Sequence, residues 1–166
     1  MTKEKEILIL GIGNEVLGDE SLALKLVHDL KSEILIPGVD YLNIFNGGLE
    51  LLEHIQDYRT IIIIDTIKTR NGIPGTISEF NPGNFKETLH LSSRHDVSFL
   101  TSLNIGEKMG FCIPDEIFII AIEINPGLTF CYDLSEEISY RYKKILTDIK
   151  NRIENYVKIS GTRSTN

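Results

Sequence analysis

The sequence predicts an α/β fold: a single-domain, three-layer α/β/α sandwich around a twisted, mostly parallel sheet of about five strands. Apolar runs of strand length alternate with segments of helical periodicity. The run Ile61–Ile64 has four β-branched residues and no polar face, as expected of a central parallel strand. No repeat, low-complexity tract or linker divides the 166 residues, and this length fits one domain.

In the first half of the chain, strands and helices alternate. Continuous apolar residues over Glu6–Gly11 predict a strand that is buried on both faces. From about Glu20 apolar residues recur at helical spacing, and Asp19 is well placed to be the N-cap. The following elements are then predicted: a strand over Val39–Phe45, a helix from Leu49 to about Tyr58, and the central strand over Thr60–Thr66.

The second half adds an edge strand, a helix, a further strand and the clearest helix of the sequence. A strand over Gly75–Phe80 is expected to run antiparallel at the sheet edge, and a long loop follows it. The remaining predicted elements are a helix from Val97 that stops at Gly106 or Gly110, a strand over Glu116–Ile122, and a helix from Leu134 that Ser135 or Asp133 caps. The domain is expected to end at residue 159 and to leave residues 160–166 as a frayed tail.

The composition argues against two classes of binding partner, nucleic acids and membranes. The net charge of −7 leaves no basic patch to neutralise phosphates, which argues against nucleic-acid binding. The two cysteines, Cys112 and Cys131, have neither metal-site nor redox spacing and are expected to be buried or inert. The N-terminal sequence resembles neither a signal peptide nor a membrane span. We therefore expect a cytoplasmic protein without a membrane partner.

The loop Gly11–Glu20 joins the first strand to the first helix. Its glycines suggest a dinucleotide loop, but Val16 stands where the third glycine of that fingerprint should fall. The carboxylates of Glu15, Asp19 and Glu20 would also repel a pyrophosphate. A simpler interpretation is that the glycines permit a tight turn and that the last two acids interact with the helix dipole.

Three residues that follow apolar strands or the long loop are expected to meet at one edge of the sheet. They are Glu20, Asp65 and His95, and two carboxylates with one imidazole suit a divalent transition metal. In the alternative, Asp65 caps a turn and His95 is exposed. His90 shares the long loop with His95, and the sequence does not choose between these two histidines.

A serine or cysteine hydrolase is not indicated. Ser92, Ser93 and Ser98 lie near His95 in the sequence, but no Gly-x-Ser-x-Gly elbow is present. Neither cysteine follows a pattern that would lower its pKa.

The loop and its acids carry a family resemblance. The segment Ile9–Glu20 resembles the opening of the hydrogenase maturation proteases. The resemblance continues through Gly47–Leu52, Ile63–Asp65, Pro74–Thr76, the serine and histidine region that ends at His95, Ile117–Ile122 and Gly127–Thr129. It covers nearly the whole chain, and the acidic loop together with an aspartate that ends a middle strand makes it specific.

The resemblance implies an endopeptidase that removes a C-terminal extension from the large-subunit precursor of nickel-iron hydrogenases after nickel insertion. Members are classed as aspartic-type endopeptidases and are thought to use no metal of their own. They are thought to recognise nickel that the substrate already holds, and by position in the motif the residues here are Glu20, Asp65 and His95. For Asp65, the roles of nickel ligand and of general base both remain open.

Further expectations follow from this resemblance. Asp65 is the expected catalytic residue, nickel is supplied by the substrate, and the protein has no tightly bound cofactor. A monomer is expected to meet the precursor transiently. Substrate contacts are assigned to Gly13, Asn14, Asp19, Gly47 and Gly48. The alternative function is a chaperone-like module that docks a metal-bearing partner without cleaving it.

Overall fold

The structure is a computed structural model that describes residues 5–33, 36–45, 47–85, 88–91, 99–127 and 130–163. One sheet runs through it in the order β2-β1-β3-β5-β4. Its strands are β1 (Lys5–Ile12), β2 (Val39–Ile44), β3 (Tyr58–Ile67), β4 (Ile77–Phe80) and β5 (Glu116–Glu123). Only β4 pairs in the antiparallel sense, with β5, which confirms the predicted edge strand.

Helices cover both faces of the sheet, as predicted for a three-layer sandwich. They are α1 (Leu22–Glu33), α2 (Glu50–Ile55), α3 (Phe99–Lys108) and α4 (Glu136–Arg163). Apolar residues of α1 and α4 pack on one face, and those of α2 and α3 pack on the other. None of the helices in the described ranges combines the length and the apolar character needed to cross a membrane.

Strand β3 is central because both of its faces are apolar. Ile62 and Ile64 point toward α1 and α4, while Ile61 and Ile63 point toward α2 and α3. All four side chains are fully buried. At the carboxyl end of the strand the same alternation brings Asp65 to the α2 and α3 face, also fully buried. Asp65 therefore lies near the end of a buried strand, where the strand meets the loops.

The connections between the strands predict a ligand crevice beside Asp65. From β1 the chain crosses to β2 on one side, and from β3 it continues to β4 and then β5 on the other side. The boundary between β1 and β3 is thus the topological switch point, where Gly11 pairs with Ile64. Loops after parallel strands separate at such a point and leave a ligand crevice.

Asp19 does not cap α1, so this prediction was wrong. It lies in a 3₁₀ turn, Gly18–Ser21, that precedes the helix. Its carboxylate is buried and accepts hydrogen bonds from the backbone N–H of Ser135 at 2.7 Å and from the Ser135 hydroxyl at 2.8 Å. The Ser135 Oγ accepts from the N–H of Ile138 at 3.3 Å, which confirms Ser135 as the cap of α4. Asp19 therefore joins the first loop to the last helix.

The segment before α4 lies alongside the loop Gly11–Glu20. The N–H of Gly18 donates to the Cys131 carbonyl at 2.6 Å, and the N–H of Cys131 donates to the Val16 carbonyl at 2.9 Å. Cys131 is exposed and Cys112 is half-buried, so the expectation that these cysteines are buried was wrong. That they are inert stays a prediction.

Helix α4 is longer than predicted and is anchored at both ends. It continues to Arg163, so the expected tail from residue 160 is wrong for residues 160–163, while residues 164–166 lie outside the described ranges. Ser160 is buried, and its hydroxyl donates to Glu116 at 2.7 Å. Arg59 donates to the Ser160 carbonyl at 3.1 Å. These bonds fix the end of α4 to the amino ends of β3 and β5.

Asp19→Ala should lower the free energy of unfolding by about 2 kcal/mol, because it leaves the buried donors of Ser135 without their charged acceptor. Ser135→Ala should cost about 1 kcal/mol through the lost cap. Urea unfolding of both single variants and the double variant measures the coupling. Strict additivity within roughly 0.3 kcal/mol would contradict the proposed link.

Candidate active site

The loops after β1, β2 and β3 converge at the switch point. The N–H of Gly13 donates to the Ile44 carbonyl at 3.2 Å, which joins the ends of β1 and β2. Segment 88–91 covers the end of β3, where the N–H of Leu89 donates to the Thr66 carbonyl at 2.9 Å. Side chains from three distant parts of the sequence meet there, namely Glu20, Asp65 and His90.

The Asp65 carboxylate is solvated by protein groups on both oxygens. Oδ1 accepts from the N–H of Thr66 at 2.7 Å and from His90 Nδ1 at 2.6 Å. Oδ2 accepts from the Thr88 hydroxyl at 2.5 Å and from the N–H groups of His90 and Leu91 at 3.2 and 3.3 Å. Since a carboxylate has about four lone-pair sites, these five donors from the described residues occupy them all.

His90 connects the two carboxylates. A carboxylate only accepts hydrogen bonds, so Nδ1 carries the proton that is donated to Asp65. The other ring nitrogen, Nε2, lies 3.3 Å from Glu20 Oε2. Exposure increases along this chain of groups: the Asp65 side chain is 0% exposed, His90 11% and Glu20 17%. Glu20 and His90 are thus the more exposed members of the three.

The two carboxylates set the charge of this histidine. Burial lowers the pKa of His90, but the hydrogen bond and charge of Asp65, together with the charge of Glu20, outweigh it. The net result is a pKa raised above the ordinary histidine value, which favours a protonated ring between two anions.

Gly13 positions Glu20 through close backbone contact. A Cβ at Gly13 would lie 2.4 Å from the Glu20 carbonyl oxygen and 3.2 Å from Leu24 Cγ. The Glu20 carbonyl also accepts from the N–H of Asn14 at 3.2 Å. The turn therefore folds back onto the end of β1, and only glycine leaves room for it.

The turn that contains Gly47 and Gly48 packs closely against segment 88–91 in a similar way. A Cβ at Gly47 would lie 2.8 Å from the His90 carbonyl oxygen and 2.8 Å from Leu91 Cδ2. The carbonyl of Gly48 accepts from the N–H of Leu51 at the start of α2. This loop thus packs against the backbone of His90 and Leu91.

Comparison with known proteins assigns the family. The family model HycI, described as hydrogenase maturation protease, matches residues 24–152, well over half of the chain. The chain belongs to the hydrogenase maturation protease family. The hydrogenase 2 maturation protease of Escherichia coli (strain K12) is 36% identical over 74 residues, which are 43% of this chain and 44% of that protein. The aligned stretch thus spans less than half of that relative.

Solved structures with the same fold cover nearly the whole chain. The hydrogenase maturating endopeptidase HybD from E. coli superposes with a TM-score of 0.69 at 22% identity, over 91% of this chain and 93% of that one. The [NiFe] hydrogenase maturation protease HycI from Thermococcus kodakarensis KOD1 gives a TM-score of 0.65 at 23% identity, over 89% and 91%. At these identities the likeness shows the shared fold.

In this member of the family the predicted site residues are only partly brought together. Glu20 and Asp65 both reach His90, whereas His95 lies outside the described residues. In the described ranges no three His, Cys, Asp or Glu side chains are arranged to hold a metal ion.

The predicted substrate-contact residues build the site's loops. Gly13 and Gly47 allow close packing, and Asn14 accepts from the N–H of Val16 through Oδ1 at 3.1 Å. Asp19 is engaged with Ser135, so its carboxylate supports the loop. Direct contact of these residues with substrate stays a prediction.

Thr88 is the supporting residue that sequence reasoning missed. It is buried and its hydroxyl contacts Asp65, yet a threonine in a loop of mixed polar residues has no distinguishing pattern. The sequence did indicate His90 as a candidate, because it shares the long loop with His95. The spacing of the residues did not decide which of these two histidines belongs to the site.

Gly13→Ala should destabilise the protein by about 2 kcal/mol, because the new methyl group displaces the Glu20 backbone. Gly127→Ala is the matched control, since a Cβ there meets no atom within 4 Å. It should change stability by less than about 0.5 kcal/mol. Thermal unfolding compares the two, and equal stabilities would contradict the close packing at Gly13.

Thr88→Val keeps the shape of the side chain but removes the donor to Asp65. The free energy of unfolding should fall by about 2 kcal/mol, the value of a hydrogen bond to a buried charge. Thr88→Ser retains the hydroxyl and should recover most of this loss. If serine and valine destabilise equally in urea unfolding, the hydroxyl does not stabilise the carboxylate.

Proposed function

We propose that this protein is an endopeptidase that removes the C-terminal extension of a nickel-iron hydrogenase large-subunit precursor after nickel insertion. The chain of groups Glu20–His90–Asp65 at the switch point, in a member of the hydrogenase maturation protease family, carries the proposal. Hydrolysis adds one water across the scissile peptide bond. It leaves a carboxylate on the large subunit and an amino group on the released extension.

Apolar side chains around the crevice favour a polypeptide substrate. Phe45 and Leu49 follow β2, and Phe130 and Tyr132 precede α4, and all four are exposed, Phe130 by 85%. Their loops leave the carboxyl ends of β2 and β5, the edge where Asp65 lies. Exposed apolar groups near a polar site are typical of surfaces that dock a protein.

A cation in the substrate would explain the acidic loop. Glu20 reaches the opening of the crevice, and the chain carries a net charge of −7. The nickel comes with the precursor in this proposal, and the protein itself needs no resident cofactor. We further propose a cytoplasmic monomer that binds its precursor transiently.

The hydrogen bonds of Asp65 bear on the roles that we propose for it. A general base or a metal ligand needs an unoccupied lone pair, and in this structure both oxygens accept hydrogen bonds. The aspartic-type class would require Asp65 to exchange one of these donors for water. Complete hydrogen bonding of Asp65 also favours the second candidate function, a module that docks the precursor without cutting it.

The wild-type protein should shorten a nickel-loaded precursor and leave a nickel-free precursor intact, as measured by mass spectrometry of the product. Glu20→Gln should slow cleavage by about 10²-fold, because it removes a charge that faces the metal-bearing substrate. Glu53→Gln, an exposed carboxylate on α2, is the matched control and should cleave at the wild-type rate.

An unchanged mass of the nickel-loaded precursor would overturn the endopeptidase proposal for that substrate. If this precursor still bound with nickel-dependent affinity, the docking function would be supported instead. Cleavage that proceeds equally with and without nickel would remove the metal from the proposal.

A further inference from the structure

We propose that the outer edge of β2 is the docking site for the C-terminal extension of the precursor, which adds to the sheet as an extended, antiparallel strand. The inference rests on the proposed function, because the extension is the part of that substrate that follows the scissile bond. The docking surface lies beside the chain of groups Glu20–His90–Asp65 and shares no residue with it.

Strand β2 offers backbone groups to a further strand. In the described residues β2 and β4 form the two edges of the sheet. The N–H groups of Ile7 and Gly13 donate to the carbonyls of Gly38 and Ile44, so the even-numbered residues of β2 bond to β1. The backbone groups of the odd-numbered residues, Asn43 among them, therefore point away from the sheet. Such an edge is a template on which an extended peptide can add a strand.

Of the two edges, β2 is the nearer to the candidate active site. The loop that carries Glu20 leaves the end of β1, and a strand added outside β2 lies two strand spacings from β1, about 10 Å. A strand added outside β4 lies three spacings from β3. The N–H of Gly13 in the Glu20 loop also bonds to the Ile44 carbonyl at the end of β2. About three extended residues are enough to join the two places.

The position of the scissile bond sets the direction of the added strand. The extension follows this bond in the precursor, so it leaves the site at the carboxyl end of β2. From there it can only run toward the amino end of β2, which makes the pairing antiparallel. Phe45, directly after β2, is exposed at the point where the extension would enter.

Clefts along β2 leave room for the side chains of an added strand. One cleft, of about 460 Å³, is lined by residues 39–42 of β2, by Lys31 of α1 and by Asp57 after α2. A second, of about 670 Å³, includes Asn43 and continues along α1 past Lys25. The clefts therefore accompany β2 along most of its length.

The two flanks of β2 carry opposite charges. On the α1 side, Lys25 and Lys31 are exposed and line the clefts. On the α2 side, the exposed carboxylates of Asp40 and Asp57 outnumber Lys5. Since alternate side chains of a strand point to opposite faces, the complementary extension has acidic residues where it faces α1 and basic residues where it faces α2.

The same charges disfavour a second copy of this chain as the occupant. Two copies that pair through one patch present identical residues to each other across a two-fold axis. Antiparallel pairing of two β2 strands would therefore bring the α1 lysines of one copy toward those of the other, and would bring the carboxylates of Asp40 and Asp57 together in the same way. An extension peptide has no such symmetry.

Synthetic peptides with the sequence of the extension test the pairing without any change to the protein. N-methylation of alternate residues removes the N–H donors from one edge of an extended peptide. Peptides methylated on the edge that faces β2 should bind roughly 10-fold more weakly than the unmodified peptide, or weaker still, in fluorescence anisotropy. Peptides methylated on the opposite edge should bind like the unmodified peptide.

Amide hydrogen exchange locates the bound peptide. The N–H of Asn43 should exchange more slowly by roughly 10-fold or more when the peptide is present, because it gains an acceptor. The N–H groups of β4, the other edge, should exchange as before.

Lys31→Glu tests the charge pattern. This variant should weaken the binding of a peptide with glutamates at the positions that face α1 by roughly 5-fold, and changing those glutamates to lysine should restore it. Lys144→Glu, an exposed change on α4, is the matched control and should bind like the wild type. Because Lys31 is exposed, the melting temperature of Lys31→Glu should stay near that of the wild type.

Equal weakening by both sets of N-methyl groups, or protection of β4 in place of Asn43, would overturn the docking proposal. A dimer that pairs through β2 and that the peptide does not dissociate would assign this edge to a second copy and overturn it as well. Cleavage of the nickel-loaded precursor without pairing at β2 would leave the proposed function standing and remove the docking site. Pairing at β2 without cleavage of the precursor would do the reverse.

Discussion

The buried carboxylate of Asp65 is the constraint on which the functional end of the molecule depends. A charge at the end of a fully apolar strand is costly unless donors replace the water that it loses. Those donors come from the next residue and from segment 88–91. The need to solvate one carboxylate thus fixes the path of a segment more than twenty residues away. That path carries His90 over Gly47 to Glu20.

The adjacent acids Asp19 and Glu20 in the first loop make different contacts. Asp19 turns inward and accepts both donors of Ser135, while Glu20 turns toward His90. The 3₁₀ turn makes this divergence possible, because consecutive side chains point about 120° apart in a helix of three residues per turn. One acid therefore fixes the loop, and its neighbour is presented to the crevice.

Local patterns in the sequence were enough to predict the layers of the fold. Ile61–Ile64 identified the central strand, and the helical spacing from Ile138 to Ile153 identified α4. The site could be predicted only where a residue directly follows such an element, as Asp65 does. The hydrogen-bond partners of Asp65 and Asp19 could not be predicted from the sequence. The bonds to Thr88 and Ser135 depend on tertiary packing between residues that are 23 and 116 positions apart. The choice between His90 and His95 likewise depends on the path of a loop, which no periodicity describes.

Helix α4 spans 28 residues, about 42 Å, and is bonded to opposite ends of the sheet through Ser135 and Ser160. These bonds join residues separated by as many as 116 positions, and contacts of such long sequence separation are slow to form during folding. During synthesis the loop that carries Glu20 emerges well before its anchor at Ser135. A nascent chain without α4 therefore lacks the hydrogen bonds from Ser135 that anchor this loop.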